Sequence, residues 1–386
     1  MERQSFLKTI AGLLFLVFFA IGLVLAARKP LWTDEIYTQT KNIDQASYFE
    51  IMAGKIIEGN NCPLFYLLQK GICDVFHYKF PKVWDSRERE FSDPRSQFIL
   101  RILPNFFTSW TLVMIFYFFS RYYSLSAGIY AFLVSLSSLM VWVYWVEARP
   151  YPLWIFFTVL QSMLFILLAK REGSEARWLV WLTVTNILLS LTVLFGIIQI
   201  MIVTGLLYAW GEKRLSKYFL MTIVPLGIAF FYYFRTLKIH FYLPDHPLSL
   251  IFVNLPLERV VVLLFYAVIL GTLMVRQRGK SHVHYFKESL QYFILTIVMI
   301  AAALGILLVF KVYEPPLREG VFQLPHRYFL YLTPVMILAV TMCSIYIIKI
   351  FKGQRWMMIN SIIFLGGILM IRILKTFSEV ANQRLY

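Results

Sequence analysis

The chain has 386 residues, of which 59% are hydrophobic, 18% aromatic and only 15% charged, against the roughly 25% charged residues of an ordinary soluble domain. Its net charge of +16 would suit nucleic acid, but the lysines and arginines fall in short clusters between apolar runs, as topology signals do. The composition is that of a polytopic membrane protein with no nucleic-acid partner, and with three cysteines and no C-x-x-C pair it is neither a disulfide scaffold nor a structural zinc protein.

The first apolar run, residues 9–27, exceeds the roughly 7–15 residues of a secretory h-region, so it reads as an uncleaved span with the N-terminus inside. By the rule of ~20 apolar residues per span, further spans are predicted near 98–120, 125–146, 150–169, 217–234, 259–275, 289–310, 328–349 and 356–375. The stretch from Trp178 to Trp210 is too long for one span and too short for two full ones. It is split near Leu194-Phe195-Gly196 into two short or tilted helices. The expected fold is therefore an all-α bundle of about eleven transmembrane helices. Residues 1–386 form a single transmembrane domain, with 28–97 as a long first extracytoplasmic loop, 98–386 as the rest of the bundle, and no separate soluble domain. Basic clusters such as Lys170, Arg171 and Arg177, or Arg276, Arg278, Lys280 and Lys287, share one side of this arrangement, which the positive-inside rule places in the cytoplasm. Tyr386 then lies outside.

The first loop holds ten of the chain's 21 carboxylates. Within it Phe49, Met52, Ala53, Ile56 and Ile57 recur at helical spacing, and Leu64, Leu67, Leu68, Ile72, Val75 and Phe76 do so again. These patterns predict two helices lying along the membrane interface, with Pro63 in the first turn of the second. Residues 81–97 are charged and read as irregular. Cys62 and Cys73 share the loop, where an oxidising compartment permits a disulfide and helical separation would forbid one.

Just beyond the first span lies Leu31-Trp32-Thr33-Asp34-Glu35-Ile36-Tyr37, two adjacent carboxylates among aromatic residues. Arg101 sits about one turn inside the second span, Glu147 and Arg149 precede the span at 150–169, and His326 and Arg327 precede the span at 328–349. In the predicted topology all of them share the extracytoplasmic face. Ionisable groups at hydrocarbon depth cost about 2.5–3.5 kcal/mol on insertion scales, so they pair or line a wet cavity. The chemistry such a group suits is sugar transfer from a lipid phosphate. Asp34 would act as general base on an acceptor hydroxyl attacking the anomeric carbon. Arg101, Arg149 and Arg327 would hold the departing phosphate, with His326 as an accessory donor. A single displacement inverts the anomeric centre. Glu35 would orient Asp34, bind a divalent cation with it, or cap a helix. Glu147 and Tyr151 are supporting residues, Glu147 pairing with Arg149 as its simplest role. Arg101 and Arg149 also suit snorkelling to headgroups.

Taken in order, Trp32-Thr33-Asp34-Glu35-Ile36-Tyr37, Cys62-Pro63-Leu64-Phe65-Tyr66-Leu67-Leu68, Arg101-Ile102-Leu103-Pro104, Glu147-Ala148-Arg149-Pro150-Tyr151 and His326-Arg327-Tyr328 resemble the motifs of GT-C glycosyltransferases, in particular the branch of protein O-mannosyltransferases and lipid A aminoarabinose transferases. The resemblance is dense over residues 9–170 and thin from there to about 325. It implies a polyprenyl- or dolichyl-phosphate sugar donor and an extracytoplasmic glycan, lipid or protein acceptor. It also implies inverting transfer with Asp34 in the place of the family's catalytic aspartate, and a bacterial cytoplasmic membrane. Two departures stand out: Asn61-Cys62-Pro63 replaces the usual His-Pro-Pro or Asp-Pro-Pro, and the C-terminal soluble domain of several relatives is absent. Competing readings are a flippase or transporter of lipid-linked sugars, which predicts repeated halves with interrupted spans, an O-antigen ligase or polymerase, and a catalytically silent relative.

Overall fold

A computed structural model describes residues 2–56, 62–81, 90–170, 175–210, 215–236, 241–242, 248, 283–312, 322–323, 326–351 and 355–382. Helix α1 (Glu2–Arg28) runs into strand β1 (Leu31–Trp32), helix α2 (Thr33–Tyr37) and a π-helical turn at Thr38–Ile43. The loop adds α3 (Tyr48–Met52) and α4 (Pro63–Val75). Strand β2 (Glu90–Phe91) then returns antiparallel to β1, Leu31 opposite Phe91. Next come α5 (Pro94–Tyr122), α6 (Leu125–Leu136), α7 (Leu139–Tyr144) and α8 (Tyr151–Lys170), followed by α9 (Glu175–Ser190), α10 (Gly196–Trp210) and α11 (Leu215–Thr236). Strand β3 (Phe241–Tyr242), helix α12 (Val283–Val312) and strand β4 (Phe322–Gln323), parallel to β3, lead to a 3-10 turn at His326–Phe329. Helices α13 (Leu332–Ile350) and α14 (Arg355–Asn382) close the chain.

Six of these helices are long and apolar enough to cross a membrane: Gln4–Arg28, Pro94–Tyr122, Tyr151–Lys170, Ser289–Val309, Leu332–Lys349 and Met358–Val380. The chain is an all-α membrane protein, with two short strand pairs among the described residues. Leu125–Leu136, Gly196–Trp210 and Met221–Phe234 are apolar but shorter, so the described residues hold fewer crossing-length helices than the eleven expected. The stretch 125–146 breaks at Ser137 and Ser138, because polar groups satisfy the end of α6 from the side. Ser137 Oγ donates to Val134 O at 2.7 Å and Trp142 Nε1 to Leu136 O at 2.8 Å. The expected split of the long stretch falls between Ser190 and Gly196. The span at 259–275 lies outside the described residues, as do 82–89.

Two prolines inside helices show how polar side chains knit the bundle. Pro104 in α5 has no N–H, which strips Leu100 O of its helical donor, and Gln69 Nε2 of α4 donates to that carbonyl at 3.1 Å. Pro225 does the same to Met221 O in α11. Asn186 Nδ2 of α9 donates there at 3.4 Å, and its own Oδ1 accepts Gln161 Nε2 of α8 at 2.8 Å. Each proline gap is thus filled by a buried amide from a neighbouring helix.

Helix α5 lies against α1 at Gly22, where an added Cβ would stand 1.7 Å from Asn105 Oδ1. That oxygen accepts Trp145 Nε1 at 3.0 Å, and Asn105 Nδ2 donates to Phe19 O at 2.8 Å. The amide therefore cannot swing away without losing both bonds. Gly22→Ala should destabilise the protein by about 1–3 kcal/mol, the usual range for overpacking, read as a lowered midpoint in thermal unfolding in detergent. An unchanged midpoint would mean that α1 and α5 are free to move apart.

The loop helices form a platform tied to the bundle. The N-terminus of α4 is pinned by Cys62 N donating to Thr192 O at 3.0 Å and Leu64 N to Leu191 O at 2.9 Å, while Tyr232 Oη donates to Met52 O at 2.7 Å. Helix α3 begins on a reciprocal Ser47–Glu50 cap and stops at Met52, earlier than the 49–57 pattern predicted. Gly54, at φ 68°, turns the chain after it. Helix α4 buries Phe65, Tyr66, Gln69 and Cys73, whereas Phe49, Met52, Leu68, Val75 and Phe76 are exposed. An apolar outward face of this kind is what an interfacial helix carries. Cys62 and Cys73 are both free and buried. They stand at opposite ends of α4, about 16 Å apart along its axis by helical rise, beyond disulfide reach.

Candidate functional site

The local fold of α2 splits the two adjacent carboxylates. Trp32 precedes a helix beginning at Thr33, so Glu35 falls in its first turn and reaches back to accept Trp32 N–H at 3.2 Å. This points Glu35 inward, where it is 1% exposed, while the Asp34 side chain remains 29% exposed.

Glu35 and Arg101 form a fully enclosed ion pair. Arg101 Nε donates to Oε1 at 3.1 Å and Nη2 to Oε2 at 2.7 Å. The Ala148 N–H adds a bond to Oε1 at 2.7 Å. Burial alone would push the Glu35 carboxyl up. The charge and hydrogen bonds of Arg101, with Lys29 and the Ala148 N–H, instead hold it below its ordinary value. The remaining Arg101 donors go to backbone carbonyls where α1 ends: Nη1 to Ala26 O at 3.0 Å and to Lys29 O, and Nη2 to Pro30 O at 2.8 Å. All five guanidinium N–H groups are occupied. Arg101, expected from the sequence to hold phosphate, has none left for one, and the Glu35 oxygens are likewise committed to protein donors.

Two other arginines converge on Asp34. Arg327 Nη1 donates to Asp34 Oδ2 at 2.7 Å, and Arg149 Nη2 lies 3.8 Å from the same oxygen. Arg149 Nη1 also donates to Asp34 O at 3.2 Å and to Thr38 Oγ1 at 2.5 Å. The Tyr151 ring lies under both guanidiniums, 5.7 Å from Arg149 Cζ and 5.9 Å from Arg327 Cζ, and the Trp32 ring is 6.0 Å from Arg327 Cζ. Arg149 Nη2 also donates to Tyr151 Oη at 3.4 Å, whereas the ring faces hold Arg327 through its charge without consuming N–H donors. The side chain of His326 lies outside the described residues, although its backbone opens the 3-10 turn that presents Arg327. That turn is set by Tyr328, whose ring stacks on Phe195 of the turn between α9 and α10 at 5.1 Å.

Neither a protein-family model nor a curated protein matches this chain.

Glu147 completes the group and differs from its neighbours. It is 3% exposed, and its Oε1 has no hydrogen-bond partner, so the pairing with Arg149 expected from the sequence does not form. Burial pushes its carboxyl up to about 7, with the Glu35 charge adding and Lys29, Arg149 and Arg327 opposing. The described residues contain no group of three His, Cys, Asp or Glu side chains placed to hold a metal ion.

Sequence reading missed Thr38, the Ala148 N–H and the chain end of α1 as parts of the site. Thr38 was within reach, since it lies four residues after Asp34 and so shares its helical face. The α1 carbonyls carried no side-chain signal at all.

Proposed function

We propose that the protein is an inverting glycosyltransferase of the GT-C type, a bundle of about eleven spans whose site faces the extracytoplasmic side of a bacterial cytoplasmic membrane. It moves a sugar from a polyprenyl-phosphate donor to a glycan, lipid or protein acceptor. The observation that carries the reading is the convergence of Arg149 and Arg327 on the partly exposed Asp34, beside a platform whose outward face is apolar. A lipid-borne phosphate and a water-borne hydroxyl can meet at such a place.

In this reading Arg149 and Arg327 bind the donor phosphate, the Tyr151 and Trp32 rings keeping their planes in position. The acceptor oxygen attacks the anomeric carbon as the bond from that carbon to the phosphate oxygen breaks. The electron pair goes to the phosphate and the acceptor proton to Asp34. Glu35 and Arg101 act through position, fixing α2 against the end of α1 so that Asp34 projects into the site.

Arg327→Ala tests the phosphate role. Hydrogen bonds to charged groups contribute about 1.5–3 kcal/mol, so donor affinity should fall about 10- to 100-fold in a binding titration with a lipid-phosphate sugar. Wild-type affinity in the variant would remove Arg327 from the donor site.

A further inference from the structure

Glu147 is a buried carboxyl group set among cations yet without the ion pair that such surroundings normally produce. The groups acting on it come from every side: Lys29 after α1, Glu35 of α2, Tyr144 of α7, Arg149 of its own loop, Tyr151 of α8, and Arg327 of the 3-10 turn. The two residues after it are both engaged, Ala148 N–H on Glu35 and Arg149 on Asp34, which fixes the backbone that carries Glu147. Its Oε1 lacks a partner, and a buried polar atom left unpaired costs about 1–3 kcal/mol. The charges of Arg149 and Arg327 also act on this carboxyl, so a ligand held by those arginines would supply the partner that the oxygen lacks.

We propose that Glu147 is a third contact for the phosphate held by Arg149 and Arg327, binding it as a neutral carboxylic acid whose O–H donates to a phosphate oxygen. The proposal rests on the phosphate-binding reading above and deepens it. An ionised carboxylate beside a phosphate would repel it, whereas the protonated acid donates to it. Where Glu147 is ionised in the free protein, its proton comes from solvent when the phosphate ester enters and returns to solvent when it leaves. No covalent bond other than this O–H is made or broken. The raised affinity of the carboxyl for its proton makes the uptake fall in the neutral range. Below pH of about 7 the acid is already protonated and binding moves no proton. Above that pH one proton must be taken up, so affinity weakens as pH rises.

The test uses the full-length protein in phosphatidylcholine nanodiscs and a hexose linked to farnesol through a phosphodiester, a probe whose own charge stays constant across the range. Calorimetry in two buffers of different ionisation enthalpy reads Kd and the protons exchanged. For the wild type, Kd should rise about 30-fold between pH 6 and 8.5, with proton uptake approaching one at the upper end. Glu147→Gln keeps the size and a donor but does not titrate, so its Kd should be flat within about twofold over the same range. Proton uptake by the wild type tests the proposal even if the variant fails to fold. Binding without uptake, or an unchanged pH slope in the variant, overturns the role of Glu147 and leaves the phosphate reading in place. Binding of no phosphodiester at any pH overturns both. Equal affinity and equal uptake with phosphatidylglycerol in place of the probe keep the Glu147 contact and overturn the sugar-donor reading.

Discussion

Arg101→Met should leave little folded protein. The substitution strands the Glu35 carboxylate, which is fully enclosed, and removes the donors to Ala26 O, Lys29 O and Pro30 O. Breaking one side of a buried pair costs about 3–5 kcal/mol, a large share of the roughly 5–15 kcal/mol that holds a domain together. The expected result is a collapsed yield of monodisperse protein in size-exclusion chromatography and a thermal midpoint well below wild type. Arg101→Met with Glu35→Leu should recover part of that loss, because an apolar pair no longer confines an unpaired charge. The sign with pH follows from the lowered Glu35 carboxyl. The stabilisation is complete above its ordinary value of 4.5 and is lost as pH falls through the lower folded value. An Arg101 that served the donor phosphate would behave differently, leaving the midpoint unchanged and weakening only donor binding.

Asp34→Asn should abolish transfer while leaving the fold intact. The amide keeps the size of the side chain and can still accept from Arg327, but it cannot take the acceptor proton. Loss of a general base lowers turnover about 10²- to 10⁴-fold. Donor affinity should be kept or improved, because the arginines at 2.7 and 3.8 Å no longer face a competing negative charge. The informative pattern is a fall in kcat with an unchanged or lower KM. Loss of KM alone would make Asp34 a binding group, and unchanged turnover would remove it from the chemistry.

The sequence carried the helical fold because the signal there is additive: a nearly unbroken apolar run such as residues 9–27, or a long predominantly apolar one such as 98–120, leaves no alternative to a helix of that length. It failed at 125–146, where one serine hydroxyl and an indole N–H end a helix inside an apolar run that hydropathy reads as continuous. That Asp34, Arg149 and Arg327 come together was legible in the order of the apolar runs, because all three lie at the ends of runs expected to share one face. Their division of labour was not. Asp34 and Glu35 look alike as neighbours in a loop, and only the start of α2 at Thr33 turns one inward and leaves the other accessible. Arg101 and Arg327 look equally able to bind phosphate, and only the count of occupied N–H groups separates them. Side-chain identity fixes what a group can do, whereas its partners, distant in sequence, decide what it has left to offer.

A glycosyltransferase of the proposed kind breaks the bond between a sugar and a lipid phosphate. The most direct measurement incubates the purified wild-type protein in nanodiscs with a panel of polyprenyl-phosphate sugars carrying labelled sugar, and follows the release of free polyprenyl phosphate. Glycosyl transfer at this site requires that one donor yield polyprenyl phosphate and labelled sugar on water or an added acceptor, with the anomeric configuration inverted. Donors that bind at the Arg149 and Arg327 site and are recovered intact, with or without movement across the bilayer, would contradict it and mark the protein as a carrier of lipid-linked sugar.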